Sequence, residues 1–152
     1  MSKTIVSVSH AATLHVRNTC LCLAAQRAAR ALARRFDVAL RPLALTNGQF
    51  SLLMALNRPE PPPLGAVATL LAMDRTTLTA ALKPLERRGL IALSIDPADR
   101  RSRRPSLTAA GHRLLAQALP IWTATHATLD EELELAGTPL RASQLETLAT
   151  LA

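Results

Sequence analysis

The chain has 152 residues, 49% of them apolar, and a net charge of +7 from 18 Lys/Arg and 11 Asp/Glu. That length is one domain with room for an added interface element, and it can bury a real core. No run of about 18 uncharged apolar residues occurs, so no membrane-spanning helix is expected. Three aromatics and no tyrosine leave little for stacking on single-stranded bases.

The charge is unevenly placed. Positions 1–45 hold seven Lys/Arg and a single acid, Asp37, while 74–113 hold nine basic residues against four acids. Four of the eleven acids lie between Asp130 and Glu134. A basic stretch can be only a solvated face, and for 1–45 that reading is as good as any other. For 74–113 the surrounding motif decides in favour of phosphate binding.

In chain order, the first dozen residues read as an arm or early helix, since Ser7, Ser9 and His10 interrupt the apolar stretch a signal peptide needs. A long helix is predicted from about Thr13 to Leu40, rich in alanine and free of interior Gly or Pro, a surface that lets another helix approach closely. Arg41-Pro42 ends it, because proline disfavours helix in the residue before it. Thr46-Asn47-Gly48-Gln49 fits a capping box, followed by a buried stripe of Phe50, Leu53, Met54 and Leu56. Residues 58–63, Arg-Pro-Glu-Pro-Pro-Pro, form a stiff connector that cannot be helical.

A short apolar helix is predicted at Leu64 to Met73, then a second helix capped by Asp74 and closed at Arg87-Arg88-Gly89. In that second helix Leu78, Leu82 and Leu85 recur at i, i+4 and i+7 and face the core. Thr76, Thr79, Ala80, Lys83 and Arg87 fall on the other side, and the capped start leaves amides for phosphate or base edges. Pro84 must bend this helix or displace its last turn. A strand follows at Leu90 to Ile95, with Ile91, Leu93 and Ile95 turned inward. Next comes a turn carrying Arg100, Arg101, Arg103 and Arg104, with Asp99 expected to pair with one of them. The return strand ends at Ser106-Leu107 and contains Pro105, which must lie where no ladder donor is needed.

Helix, turn, capped helix and basic hairpin together form a winged helix-turn-helix in sequence, and they point to duplex DNA. The arginines suit the narrow, electronegative minor groove and its flanking phosphates.

Thr108 opens a further helix whose Leu115, Leu119, Trp122, Leu129 and Leu133 follow a 4-3-7-4 spacing, with His126 in the seam and Pro120 bending it. A last helix runs from about Pro139 to Leu151. Long first and last helices around a compact reader imply a homodimer, with packing within one copy as the alternative. The expected fold class is mainly α with a small β wing, a winged helix-turn-helix with N- and C-terminal dimerisation helices. It divides into an arm and dimerisation helix (1–45), a DNA-binding domain (46–108) and C-terminal dimerisation helices (109–152).

At these residues the chain resembles the MarR family of bacterial transcriptional regulators, over about Thr19 to Leu151. The resemblance is carried by Asp74-Arg75-Thr76-Thr77-Leu78-Thr79, Leu85-Glu86-Arg87-Arg88-Gly89-Leu90, the wing, and Leu107-Thr108-Ala109-Ala110-Gly111. The family's Asp-x-Arg-x-x-Arg wing pattern is matched by Asp99, Arg101 and Arg104. The resemblance implies a mostly helical dimer on pseudo-palindromic DNA, Arg101 in the minor groove, and repression relieved by a small molecule or an oxidant. Ala80 stands where many relatives carry arginine or another polar group, which moves base readout to Thr76, Thr77, Thr79 and Lys83. The implied DNA-binding set is thus Asp74, Arg75, Thr76, Thr77, Thr79, Lys83, Arg87, Asp99, Arg100, Arg101, Arg103 and Arg104.

Leu21-Cys22-Leu23-Ala24 resembles the segment around the reactive cysteine of the family's organic-peroxide-sensing branch. That chemistry also uses tyrosines, which this sequence lacks, so Cys22 is either a redox sensor or an inert packed thiol. Cys20 and Cys22, two apart on one helix, should not bridge each other. Two cysteines suit a reducing cytosol, and the expected location is cytoplasmic. His10, His15, His112 and His126 have no metal-ligand spacing and no Gly-rich phosphate loop occurs, so no metal, cofactor or enzyme activity is expected. A winged helix used only for protein–protein assembly is the remaining non-enzymatic alternative.

Overall fold

The computed structural model describes residues 7–150. Positions 1–6 of the expected arm, and Leu151 of the expected last helix, lie outside the described residues. The chain divides into two compact units, Met1–Arg35 and Phe36–Ala152.

In the first unit, helix α1 (His10–Thr19) is capped by Ser9, whose hydroxyl accepts the Ala12 amide at 3.2 Å. The single long helix expected here is two helices, because Cys20 leaves helical geometry with ψ of 105° before α2 (Leu21–Leu40) begins. Asn18 and Thr19 precede the break, residue types whose side chains compete with helical backbone bonding; the Thr19 hydroxyl donates back to the His15 carbonyl. Cys20 serves both helices. Its amide closes α1 on the Val16 carbonyl, and its carbonyl and Sγ accept the Ala24 and Leu23 amides of α2.

The second unit begins with Phe36 and Leu40 at the end of α2, both buried. A short 3-10 turn, Arg41–Leu43, is closed by Ala44 at φ 49°. Helix α3 (Asn47–Leu56) starts on the predicted capping box, with Thr46 and Gln49 exchanging side-chain bonds with each other's amides at 3.2 and 3.1 Å. Its buried residues are Phe50, Leu52, Leu53, Ala55 and Leu56. Met54, expected in that stripe, is 40% exposed.

Helix α4 (Leu64–Leu70) stops three residues short of the expected Met73, because Ala72 turns left-handed at φ 50° and redirects the chain towards Asp74. Helix α5 (Arg75–Arg87) runs unbroken through Pro84 and sets Leu78, Leu82 and Leu85 into the core, as the spacing predicts. It ends where Gly89, at φ 67°, lets its own amide reach the Glu86 carbonyl and that of Leu90 reach the Leu85 carbonyl.

Strands β1 (Ile91–Ile95) and β2 (Arg103–Leu107) make a two-stranded antiparallel hairpin in which Leu93 faces Pro105. Bonds from Thr108 to Leu90 and from Asp96 to Ser102 fix the hydrogen-bonded pairs at even positions of β1. Pro105 therefore falls at a non-bonded pair, where its missing amide costs nothing. The inward face expected for β1 exists only at its root. Ile91 is buried, but Leu93 and Ile95 are 36% and 58% exposed, since the hairpin runs out past the core.

Helix α6 (Ala109–Leu135), capped by Thr108, is continuous through Pro120, and α7 (Ala142–Thr150) closes the described chain. The core joins Leu40, Leu45, Phe50, Leu53 and Leu56 to the α5 leucines, Ile91, Leu115 and Ala118. No described helix is long and apolar enough to cross a membrane.

Candidate nucleic-acid interface

Asp74 caps α5 by accepting the Thr77 amide at 2.8 Å and the Thr77 hydroxyl at 2.5 Å. Those two bonds, the hydroxyl first, hold its carboxyl below the usual carboxylate range. Thr77, expected as a reader of bases, is thus committed to the cap. With the core leucines turned in, Arg75, Thr76, Thr79, Ala80 and Lys83 line one shallow groove on the outer face of α5. The Thr79 hydroxyl donates to the Arg75 carbonyl at 2.7 Å, which leaves its oxygen lone pairs and its methyl group outward. Arg87 is exposed at the end of the same helix.

The wing stands beside that groove. A crevice of about 130 Å³ is shared by Thr79 and Lys83 of α5 with Leu93 and Arg103 of the hairpin. Arg100, Arg101 and Arg103 are exposed at the tip, and the Arg103 guanidinium donates to the carbonyls of Arg100 and Ser102 at 3.3 and 3.4 Å.

Two wing expectations change. Asp99 organises the turn by accepting the Arg101 amide at 3.0 Å. The carboxylate that pairs with an arginine is Asp96, whose Oδ2 lies 3.0 Å from Nε of Arg104. Arg104 is half-buried, and its Nη1 donates to the Pro61 carbonyl at 3.2 Å, so it braces the hairpin and is not free at the tip. The reason is register: Asp96 faces Ser102, and Arg104 is the diagonal neighbour across the ladder.

Sequence reasoning missed Asp96 and Arg88. Asp96 had a visible signal, an acid at the end of a strand with arginines just beyond, but Asp-Pro read as the start of a turn. Arg88 had none. It donates to the carbonyls of Ala44 at 2.7 Å and Leu43 at 3.4 Å, forty-odd residues away, and ties the end of α5 to the turn before α3.

Asp96 is 5% exposed, and its carboxyl is held below the usual range by the Arg104 guanidinium and then by the Ala98 amide. A carboxyl lowered in the folded state stabilises the fold above its unfolded value, and that contribution is lost as pH falls through the folded one. Stability of the wild type should therefore drop as pH falls below about 4, the ordinary carboxyl range. Asp96→Asn should flatten that dependence in thermal melts taken across the same window. Equal slopes would assign the acid sensitivity to other carboxyls.

Among the residues expected at a dimer seam, Leu115 is spent on the core of its own chain. Trp122 is partly buried against that core, with Phe36 and Phe50 at ring distances of 6.4 and 6.1 Å and His126 at 4.9 Å. The reason is that Leu115, Ala118 and Trp122, at i, i+3 and i+7, form the inward stripe of α6. His126 also pairs with Asp130 at 3.1 Å. Leu119 is exposed, while Leu129 and Leu133 are half-buried. Cys22, one of whose two readings was a packed thiol, is exposed in its unit, with Gln26 Nε2 3.3 Å from Sγ. Cys20 is outside the helix that was to hold both cysteines, and both are free thiols. No cluster fit to hold a metal occurs among the described residues.

The MarR family model matches residues 45–102, which span α3, α4, α5, β1 and the turn of the wing. The transcriptional regulator MosR of Mycobacterium tuberculosis, solved in complex with DNA, is 34% identical. It superposes with a TM-score of 0.73 over 87% of this chain and 92% of that one. The chain belongs to the MarR family. CouR, a transcriptional repressor, is 31% identical in its complex with a 23-mer DNA duplex, with a TM-score of 0.72 over 96% of this chain and 99% of that one. The same protein bound to p-coumaroyl-CoA is 30% identical with a TM-score of 0.72, over 90% and 94% of the two chains. The transcriptional regulator HosA of Escherichia coli O111:H- is 39% identical over 79 residues, which is 51% of this chain and 57% of that protein. This MarR chain is mainly helical with a two-stranded wing, a winged helix-turn-helix.

Proposed function

We propose that this MarR chain is a cytoplasmic transcriptional repressor that binds a pseudo-palindromic operator as a homodimer and is released by a small effector. The observation that carries the reading is the pairing of the outer face of α5 with an exposed arginine tip across one crevice. Thr76, Thr79 and Lys83 would enter the major groove, while Arg100, Arg101 and Arg103 reach the minor groove and its phosphates. The arginine tip also argues against a winged helix that serves only for protein assembly. The DNA complexes of MosR and CouR support the partner, and the p-coumaroyl-CoA complex of CouR supports an effector.

Helix α7 buries no residue, and Leu135, Leu140, Leu145 and Leu148 stay exposed. Apolar surface of that kind is what a second copy would cover. For the effector, α3, the end of α4 and α6 line an open groove of about 380 Å³ with Phe50, Met54, Leu71 and Trp122. No ionisable side chain lines it, which suits an uncharged apolar or aromatic group. Its walls belong to the helices that set α5, so filling it would move the reader. The exposed Cys22 favours a second reading, release by an oxidant acting on that thiol.

The test is sedimentation together with fluorescence anisotropy on duplexes carrying inverted half-sites roughly 10 bp apart. A dimer at micromolar concentration with salt-dependent duplex binding is expected. A monomer that binds DNA tightly would remove the dimer, and salt-independent or absent binding would remove the DNA reading. Peroxide treatment of wild type and Cys22→Ser in the same assay separates the two release routes.

A further inference from the structure

The proline connector between α3 and α4 and the buried acid of the hairpin have no part in the reading so far, yet one side chain joins them. In Pro61-Pro62-Pro63 the three successive ring nitrogens donate nothing, and the rings stiffen the backbone. The Pro61 carbonyl is an acceptor on this stiff strut, and Arg104 Nη1 donates to it at 3.2 Å. The same guanidinium meets Asp96 Oδ2 at 3.0 Å, and the other carboxylate oxygen of Asp96 accepts the Ala98 amide at 2.9 Å. Asp96 stands at the end of β1 and Arg104 on β2, so the chain of contacts runs from the connector, across both strands, into the turn that carries the arginine tip.

We infer that Pro61, Arg104 and Asp96 form a brace that fixes the height and tilt of the wing against the body, making Asp96 and Arg104 positioning residues for duplex recognition. A two-stranded hairpin with an exposed outer half has little packing to hold it. Its buried apolar residues are Ile91 and Pro105, with Leu107 packed partly against the core. Further out, Leu93 and Arg103 border a crevice with α5, and the hydrogen bond from Arg104 to the Pro61 carbonyl ties the hairpin to the connector. Without it the hairpin would still form, but its arginines would be ordered only on binding, and that ordering would be taken from the affinity. The inference rests on the proposed DNA reading for its effect on binding, and on the fold alone for its effect on wing mobility.

The sign of one substitution separates bracing from plain electrostatics. Asp96→Asn removes a negative charge from a DNA-facing hairpin, so a purely electrostatic role for Asp96 requires tighter binding. The brace requires weaker binding, by about tenfold at moderate salt. Arg104→Gln should weaken binding to a similar degree. Its salt slope should stay close to that of Asp96→Asn, where loss of a phosphate contact would lower the slope by about one.

Limited trypsin digestion without DNA gives the second readout. Cleavage after Arg100, Arg101 and Arg103 should accelerate in both variants, while the Arg104–Pro105 bond resists trypsin in all forms. Circular dichroism identifies any variant that fails to fold, and Arg104→Lys, which keeps one charge but cannot span both partners, should then show the intermediate effect. Asp96→Asn binding as tightly as wild type or tighter, with unchanged trypsin sensitivity, overturns the brace. Faster wing cleavage in a protein whose wild type binds no duplex would keep the brace and overturn the DNA reading.

Discussion

Replacing Gly111 with alanine should destabilise the protein by about 3 kcal/mol, close to the upper range for forcing atoms into a packed site. Gly111 lies in the first turn of α6, where the helix meets the root of the wing. A Cβ there would run into the backbone carbonyl oxygen of Leu90, with the Leu90 carbonyl carbon at 3.1 Å and Leu107 Cδ2 at 3.3 Å. The obstacle is backbone and cannot rotate away. The Leu90 carbonyl also accepts the Thr108 amide at 3.0 Å, and the Thr108 hydroxyl bridges Gly89 and Gly111 at 2.7 and 3.1 Å. Relieving the clash would loosen the cap of α6 and the root of β1 together. Better helix propensity returns about 1 kcal/mol, which roughly offsets the loss of one hydrogen bond at about 1 kcal/mol. At about 2–4 °C per kcal/mol for a chain of this size, the melting temperature should fall by roughly 6–12 °C. Gly48→Ala is the control, since a Cβ there meets nothing within 4 Å. Two variants melting alike would refute the close approach.

Much of this could be read from the sequence because the signals are local. A capping residue acts on amides two or three positions ahead, and so Thr46, Asp74 and Thr108 were placed correctly. Leu78, Leu82 and Leu85 repeat at helical spacing and are all buried. Other features depend on what an element meets. Alternation in β1 gave the correct strand, but periodicity names a face and not its cover, so Leu93 and Ile95 turned out exposed. On α6 two stripes overlap, and Leu115 with Trp122 belongs to the inward one. The break at Cys20 was hidden because Asn18-Thr19-Cys20 contains neither Gly nor Pro.

The interface follows the same division. The outer face of α5 and the arginine tip were legible, since helical phase and hairpin position decide both. The assignment of Arg104 was not, because four arginines in five positions look equivalent until the ladder register is known. Register places Arg104 diagonal to Asp96 and within reach of Pro61, and removes it from the tip. Arg88 is the harder case. Its partners at Leu43 and Ala44 are brought near by the packing of the whole reader, and no local pattern encodes them.

The other large effect concerns the tip itself. Changing Arg100, Arg101 and Arg103 together to alanine should weaken duplex binding on the order of a hundredfold at moderate salt, with little change in melting temperature. All three are exposed, and the bonds Arg103 makes are to carbonyls within the turn, so the fold has little to lose. Each cation that neutralises a phosphate contributes about 0.9 to the slope of log affinity against log salt, so the slope should fall by roughly 2–3. A change on the outer face of α5 should behave differently. Thr76→Ala should cost about 1–3 kcal/mol on a preferred sequence and almost nothing on random duplex, with the salt slope unchanged. The contrast tests the division of labour between wing and helix. Loss of slope without loss of sequence preference belongs to the wing, and the reverse belongs to α5. If the triple variant kept both the affinity and the slope of the wild type, the arginine tip would not touch DNA, and phosphate contact would have to come from Arg75, Lys83 and Arg87 alone.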